Sequence, residues 1–148
     1  MQKMLDILSI NPILNCAIAG WFIAQALKVV LELIFRHRLD LGRFFSSGGM
    51  PSSHTACVMA LTVATGRTCG LSSPLFAMVL VFSCIVMYDA TGVRRAAGEQ
   101  AKVINAMVKN WHGKKLPERT KELKELLGHR PIEVFGGMIL GILVGYLV

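Results

Sequence analysis

The chain has 148 residues, 53% of them hydrophobic and only 17% charged, with a formal net charge of +7. That is short for a soluble enzyme and too apolar for a soluble domain, and the apolar residues come in blocks long enough to cross a bilayer as helix, which takes about 20 residues. The expected class is therefore all-α: a single membrane domain over residues 1–148, with about four transmembrane helices plus interfacial ones. Residues 1–9 lack the charged start, short apolar run and small-residue cleavage site of a signal peptide. The four cysteines, Cys16, Cys57, Cys69 and Cys84, have no paired metal-ligand spacing and lie in or beside apolar segments, so buried free thiols are expected. A basic face on so hydrophobic a chain points to lipid headgroups before nucleic acid, and no aromatic platform accompanies the basic residues.

Residues 1–11 read as a short interfacial helix ended by Asn11-Pro12. The first span is predicted over 13–35, and its second half carries Gln25, Lys28 and Glu32. A lysine at mid-membrane costs roughly 2.5 to 3.5 kcal/mol on insertion scales, so Lys28 must snorkel, pair or face a protein interior. Lys28 and Glu32 share a helix face and also fit a plain ion pair. Residues 36–51 form a loop that ends in glycines. A second span follows His54 and fades near Gly70, and Pro74 is placed to start a third, over 75–87, which runs on into residues 88–95. Residues 96–128 are polar and helical in pattern, broken around 111–117, with a solvated or surface-lying helix at 118–127. A last span is predicted over 134–148, where Gly137, Gly141 and Gly145 form a ridge suited to close helix packing.

About four spans put both long loops on one side. Three of the 16 Lys and Arg residues fall in the first loop and ten lie between Arg94 and Arg130. By the positive-inside rule both loops face the cytoplasm from a plasma or inner membrane.

The stretch Gly48-Gly49-Met50-Pro51-Ser52-Ser53-His54-Thr55 joins a small-residue loop to an apolar helix. Ser52 or Ser53 can cap that helix, whose first N–H groups and partial positive charge favour an anion. His54, in the first turn, can give or take a proton near neutral pH. The topology brings this stretch to the same membrane face as residues 89–95 and 129–133. Together these offer two histidines (His54, His129), two adjacent arginines (Arg94, Arg95) and two acids (Asp89, Glu133), the composition of a phosphate site. His129 and Glu133 are four apart, so the carboxylate can fix one imidazole nitrogen and leave the other as nucleophile. Taken singly, the bland alternatives are a wet helix start at His129 and a Glu133–Arg130 pair.

These residues resemble the type 2 phosphatidic acid phosphatases, and most closely their divergent branch of small membrane proteins. Pro51-Ser52-Ser53-His54 matches the family's P-S-G-H with serine for glycine. His129 and Glu133 match the end of S-R-x5-H-x3-D with glutamate for aspartate. Lys28 and Arg36 resemble K-x6-R-P with one extra intervening residue and His37 in place of proline. The arginine expected six residues before His129 is replaced by Leu123. The divergent branch's own strings, G-G-M-P-S-S-H and D-A-x-G-V-R-R, are matched throughout by residues 48–54 and 89–95.

The resemblance implies a related helical fold and a metal-free phosphatase working through a phosphohistidine. His129 would be the nucleophile held by Glu133, and His54 would protonate the leaving alcohol and activate water. Lys28, Arg36, Ser52, Ser53 and Arg94 or Arg95 would bind phosphate oxygens. Asp89 has no counterpart in the three-part signature and would orient the arginines or place a water. No cofactor is expected, a bridging divalent ion such as Mg being left open by the two acids. The implied partners are a membrane lipid phosphate (phosphatidate, phosphatidylglycerophosphate or a polyprenyl diphosphate) and the bilayer, with a homodimer suggested by the glycine ridge. Two other classes compete: an inactive relative that binds anionic lipid or scaffolds a complex, and a small transporter using Lys28, Glu32 and Asp89. The enzyme needs both histidines, the binder only the cations, and the transporter Lys28 and Glu32.

Overall fold

A computed structural model describes residues 11–37, 44, 49–109, 123 and 130–148. These residues form five helices: α1 (Pro12–Arg36), α2 (Ser53–Cys69), α3 (Pro74–Thr91), α4 (Val93–Lys109) and α5 (Pro131–Leu147). No strand occurs among the described residues. The helix expected over 1–11 lies outside them apart from Asn11, and that expected at 118–127 apart from Leu123.

The helix starts follow local chemistry. Asn11 accepts from Leu14 N–H at 3.0 Å and Ser73 from Phe76 N–H at 3.1 Å, and each is followed by a proline at the first helical position. α1 ends on His37 in the left-handed conformation, with its N–H bonded to Leu33 O. The third span runs on past 87, as expected, but bends at Gly92, where α3 stops and α4 begins.

Among the described residues two stretches have the length and apolarity to cross a membrane, Pro12–Phe35 and the α3–α4 run Pro74–Lys109, and α5 is a shorter apolar helix. Large apolar side chains such as Ile34 and Phe35 on α1, Met78 and Val81 on α3 and Ile132 on α5 point outward. In water such a surface would be an aggregation hazard, and in a bilayer it is the lipid face. The protein is an all-α membrane bundle.

α2 is the exception, and it is the centre. It packs against α5, α1 and α3, and its buried residues are small: Ala56, Ala60 and Ala64 with Thr55, Thr62 and Thr65. On one side Gly20 of α1 approaches so closely that a Cβ there would meet Ala56 O at 2.9 Å. On the other side a Cβ on Gly137 would collide with Ser52 O, one on Gly141 would lie 2.5 Å from Ala56 O, and one on Gly145 would lie 2.7 Å from Val63 Cβ. Lipid supplies no hydrophobic force between helices, so this close fit and interhelical hydrogen bonds must hold the bundle. Ser83 of α3 supplies such bonds, to Thr62 Oγ at 2.7 Å and Val58 O at 3.1 Å.

The contacts also fix direction. Ser52 meets Glu133 and Arg67 meets Gly145, so α2 and α5 run parallel. Gly20 meets Ala60 while Lys28 meets Ser53, and Phe76 lies beside Gly66 while Ser83 meets Val58, so α1 and α3 run antiparallel to α2. At the far end Arg67 donates to Gly145 O at 2.7 Å and Tyr146 O at 3.0 Å, capping the orphan carbonyls of α5.

The ridge makes a graded prediction. Gly141→Ala should destabilise the detergent-solubilised protein by about 1–3 kcal/mol through overpacking. Gly136→Ala, whose Cβ would make only ordinary contacts, with Met50 Cε at 3.4 Å and Pro51 Cβ at 3.8 Å, should stabilise by up to about 1 kcal/mol through helix propensity. Thermal unfolding of the two variants beside the wild type checks both signs.

Candidate functional site

The ends of α1 and α3 and the starts of α2 and α5 share one face of the bundle. The loop entering α2 is held between α1 and α5. Gly49, at φ +97°, lies over the stem of Lys28, and Met50 and Pro51, joined by a cis peptide bond, lie against Gly136. A non-glycine residue at Gly49 would be strained by that φ. Ser52 N–H then donates to Glu133 O at 2.9 Å, tying the start of α2 to the first turn of α5.

Of the two serines, Ser52 is the cap. Its Oγ accepts from Thr55 N–H at 3.3 Å and from Thr55 Oγ–H at 3.0 Å. Ser53 instead faces α1, where its Oγ accepts from the Lys28 ammonium at 3.3 Å. Both serines are buried, as is Lys28 at 4% exposure, so the lysine does not snorkel to water. A hydroxyl accepts and donates at once, so Ser53 can take the lysine proton donor and offer its own hydrogen to an anion. An ammonium beside the positive end of α2 concentrates positive potential in a water-poor place, the electrostatics a phosphate group needs.

His54 follows in the first turn of α2 and is half-buried. Asp89 is near the end of α3 and is half-buried too. From the Ser83–Thr62 contact, six residues along each antiparallel helix bring Asp89 level with Ala56, within about one turn of Ser53. Glu133 uses one carboxylate oxygen to accept Arg130 N–H at 3.2 Å while its own N–H donates to Arg130 O at 2.9 Å. One oxygen is therefore committed to the start of α5, a backbone form of the Glu133–Arg130 pairing.

Arg36 is the last residue of α1, on the same face. Arg94 and Arg95 occupy the first turn of α4, directly after the bend at Gly92. Leu123 is held by α4 through both backbone groups, its N–H to Asn105 Oδ1 at 3.0 Å and its carbonyl from Asn105 Nδ2 at 2.9 Å. Asn105 is ten residues along α4 from Arg95, about 15 Å away. His129 lies outside the described residues. Among those described, no three His, Cys, Asp or Glu side chains converge as a metal site.

Known proteins give the arrangement its relatives. The profile of the Divergent PAP2 family matches residues 9–144. The chain belongs to the Divergent PAP2 family. It is also similar to the uncharacterized membrane protein YuiD of Bacillus subtilis (strain 168), with 45% identity over 150 aligned positions covering 95% of this chain and 94% of that one. No solved structure matches it. In this Divergent PAP2 protein two hydrogen bonds between helices join Lys28 to Ser53 and Ser52 to Glu133.

Sequence reasoning noted Gln25 only as a polar residue of the first span. It is 4% exposed, one turn from Lys28, and its Oε1 is buried without a hydrogen-bond partner. A buried acceptor left unmet costs about 1–3 kcal/mol, and replacing it by an apolar group of similar shape is close to neutral. Gln25→Met is therefore expected to leave thermal stability unchanged or slightly raised. Ser52→Ala, which removes a cap, should lower it by about 1 kcal/mol. Equal losses in both, read by differential scanning fluorimetry, would show that Gln25 is bonded after all.

Proposed function

We propose that this Divergent PAP2 protein is a lipid-phosphate phosphatase, hydrolysing a phosphomonoester or diphosphate headgroup at the membrane interface through a phosphohistidine. The observation that carries the reading is the buried Lys28 ammonium on Ser53, at the start of the helix that also presents His54. A lysine in a span must snorkel, pair or face the protein interior, and this one is turned inward onto an anion-favouring helix end.

The chemistry follows from the residue types. His129 attacks phosphorus, and the phosphorus–oxygen bond to the lipid alkoxide breaks as His54 donates its proton to that oxygen. Neutral His54 then takes a proton from water, the hydroxide displaces phosphate from His129, and both imidazoles return to their starting forms. Glu133 holds His129 with the carboxylate oxygen that the start of α5 does not use. Lys28, Arg36, Ser53 and Arg94 or Arg95 neutralise the oxygens of the transferring group, where charge stabilisation does most of the work. Ser52 shapes the helix start, and Asp89, level with Ala56, orients the arginines. In this reading the reaction needs no metal, and the excess of Lys and Arg in the loops is the reason for assigning the site to the cytoplasmic side.

Leu123 favours a second reading, a non-catalytic anionic-lipid binder. The family pattern has an arginine there, and the backbone of Leu123 is fastened to Asn105 instead. Both readings are decided by phosphate release from phosphatidate, phosphatidylglycerophosphate and a polyprenyl diphosphate in mixed micelles, with and without chelator. The phosphatase should turn over one of them in chelator. His54→Ala should lower the rate by about 10²–10⁴-fold, and His129→Ala should abolish it. Binding without release by the wild type would sink the enzyme and leave the binder.

A further inference from the structure

The run from α3 into α4 is too long for the membrane it enters. At about 1.5 Å per residue, the 18 residues of α3 already extend about 27 Å, close to the whole hydrocarbon thickness of about 30 Å. The 36 residues of Pro74–Lys109 would extend about 54 Å if straight. α4 therefore begins where the hydrocarbon ends. Its composition agrees, because Arg94, Arg95, Glu99, Lys102 and Lys109 exclude it from the bilayer core.

α4 is nevertheless not a solvated helix. Gly98, Ala101 and Asn105, spaced three and four apart, are buried, and Asn105 holds the backbone of Leu123. A second stripe is apolar and open: Val103 is 56% exposed, Ile104 46% and Met107 66%. At 100° per residue these three cluster within about a third of a turn, while Lys102 and Lys109 fall on the opposite side. Among the described helices, α4 contacts only α3, the helix it follows directly. A helix leaving a membrane span with a charged face opposite an open apolar stripe has the pattern of an in-plane interfacial helix.

We propose that α4 lies in the headgroup–acyl boundary of the protein's own membrane, with Val103, Ile104 and Met107 inserted and Lys102 and Lys109 turned to water and headgroups. The bilayer is the fitting occupant because the stripe belongs to a helix that starts at its surface, and the cations opposite fix the roll. The anchoring also holds Arg94 and Arg95, in the first turn of α4, at headgroup depth. The proposal does not rest on phosphatase activity.

The test is depth-dependent quenching in nanodiscs of the full chain, with Trp21 and Trp111 replaced by Phe and a single reporter at Met107→Trp, Val103→Trp or Lys102→Trp. Host lipids carry bromine either near the headgroup end of the acyl chain or at its tip. Reporters at 107 and 103 should lose about half their emission or more to the shallow bromine and less to the deep one, and the reporter at 102 should respond mainly to aqueous iodide. Using two stripe positions guards against one substitution disturbing the fold. Iodide access at all three positions would overturn the proposal by placing α4 in water. Shielding of 103 and 107 from both quenchers would overturn it by putting protein on the stripe, a second copy or the rest of the chain.

Discussion

The close approach of α5 to α2 is the constraint on which the rest depends. Gly137 and Gly141 leave room for the backbone carbonyls of Ser52 and Ala56, and any side chain at either position would push the helices apart. That spacing lets Ser52 N–H reach Glu133 O at 2.9 Å. In lipid the two helices gain nothing by hiding apolar surface, so contact between backbones replaces burial as the source of cohesion. The polar chemistry at the membrane face is thus set by the least chemical residues in the chain. A shift of α5 by one methyl group would separate the loop of one motif from the helix of another.

α2 shows what this packing demands of its own composition. A central helix touched on three sides must be slim, and the slim residues that keep helices together in lipid are Ala, Ser and Thr. Their hydroxyls need partners where there is no water. Thr62 and Thr65 return theirs to Val58 O and Leu61 O, and Ser83 fills the remaining gap from α3. The same rule operates at the start of the helix, where Ser52 serves the backbone and Ser53 serves a cation from α1. The difference between scaffold and site is only which partner the hydroxyl finds.

Much of this was legible in the sequence, and the part that was not has one cause. The spans, the starts at Pro74 and Ser52 and the glycine ridge at every fourth position are local signals, because caps, proline φ and helical spacing act within a turn or two. The string from Gly48 to His54 carried the family, and within it the positive φ of Gly49 and the Ser52 cap answer local demands. Pairings between distant residues were out of reach. Nothing near Lys28 announces that its ammonium meets Ser53, 25 residues on, when Glu32 waits at the next turn. That Ser52 caps and Ser53 faces α1 depends on how α2 is rolled, and Gly20 and Gly141 set the roll from outside. The bend at Gly92 hid for another reason: the helical pattern runs through it and only the backbone turns.

The departures from the phosphatase pattern make most sense when they are taken in pairs. Where the type 2 phosphatase motif has glycine, this chain has Ser53, which brings a hydroxyl to the start of α2. Its hydroxyl is spent on Lys28, the residue whose spacing to Arg36 is also off by one. A glycine would offer that ammonium no hydroxyl acceptor at the start of α2. Here the hydroxyl holds it at the start of α2 beforehand, and fixing a cation in advance removes some of the cost of ordering it when an anion arrives. Glutamate in place of aspartate at 133 follows a similar logic. Its extra methylene lets one oxygen turn back to Arg130 N–H and close the first turn of α5 while the carbonyl of the same residue secures Ser52. Each altered residue makes a contact near the meeting point of α1, α2 and α5, Ser53 with Lys28 and Glu133 with the start of α5, so both departures are built into the packing of the bundle.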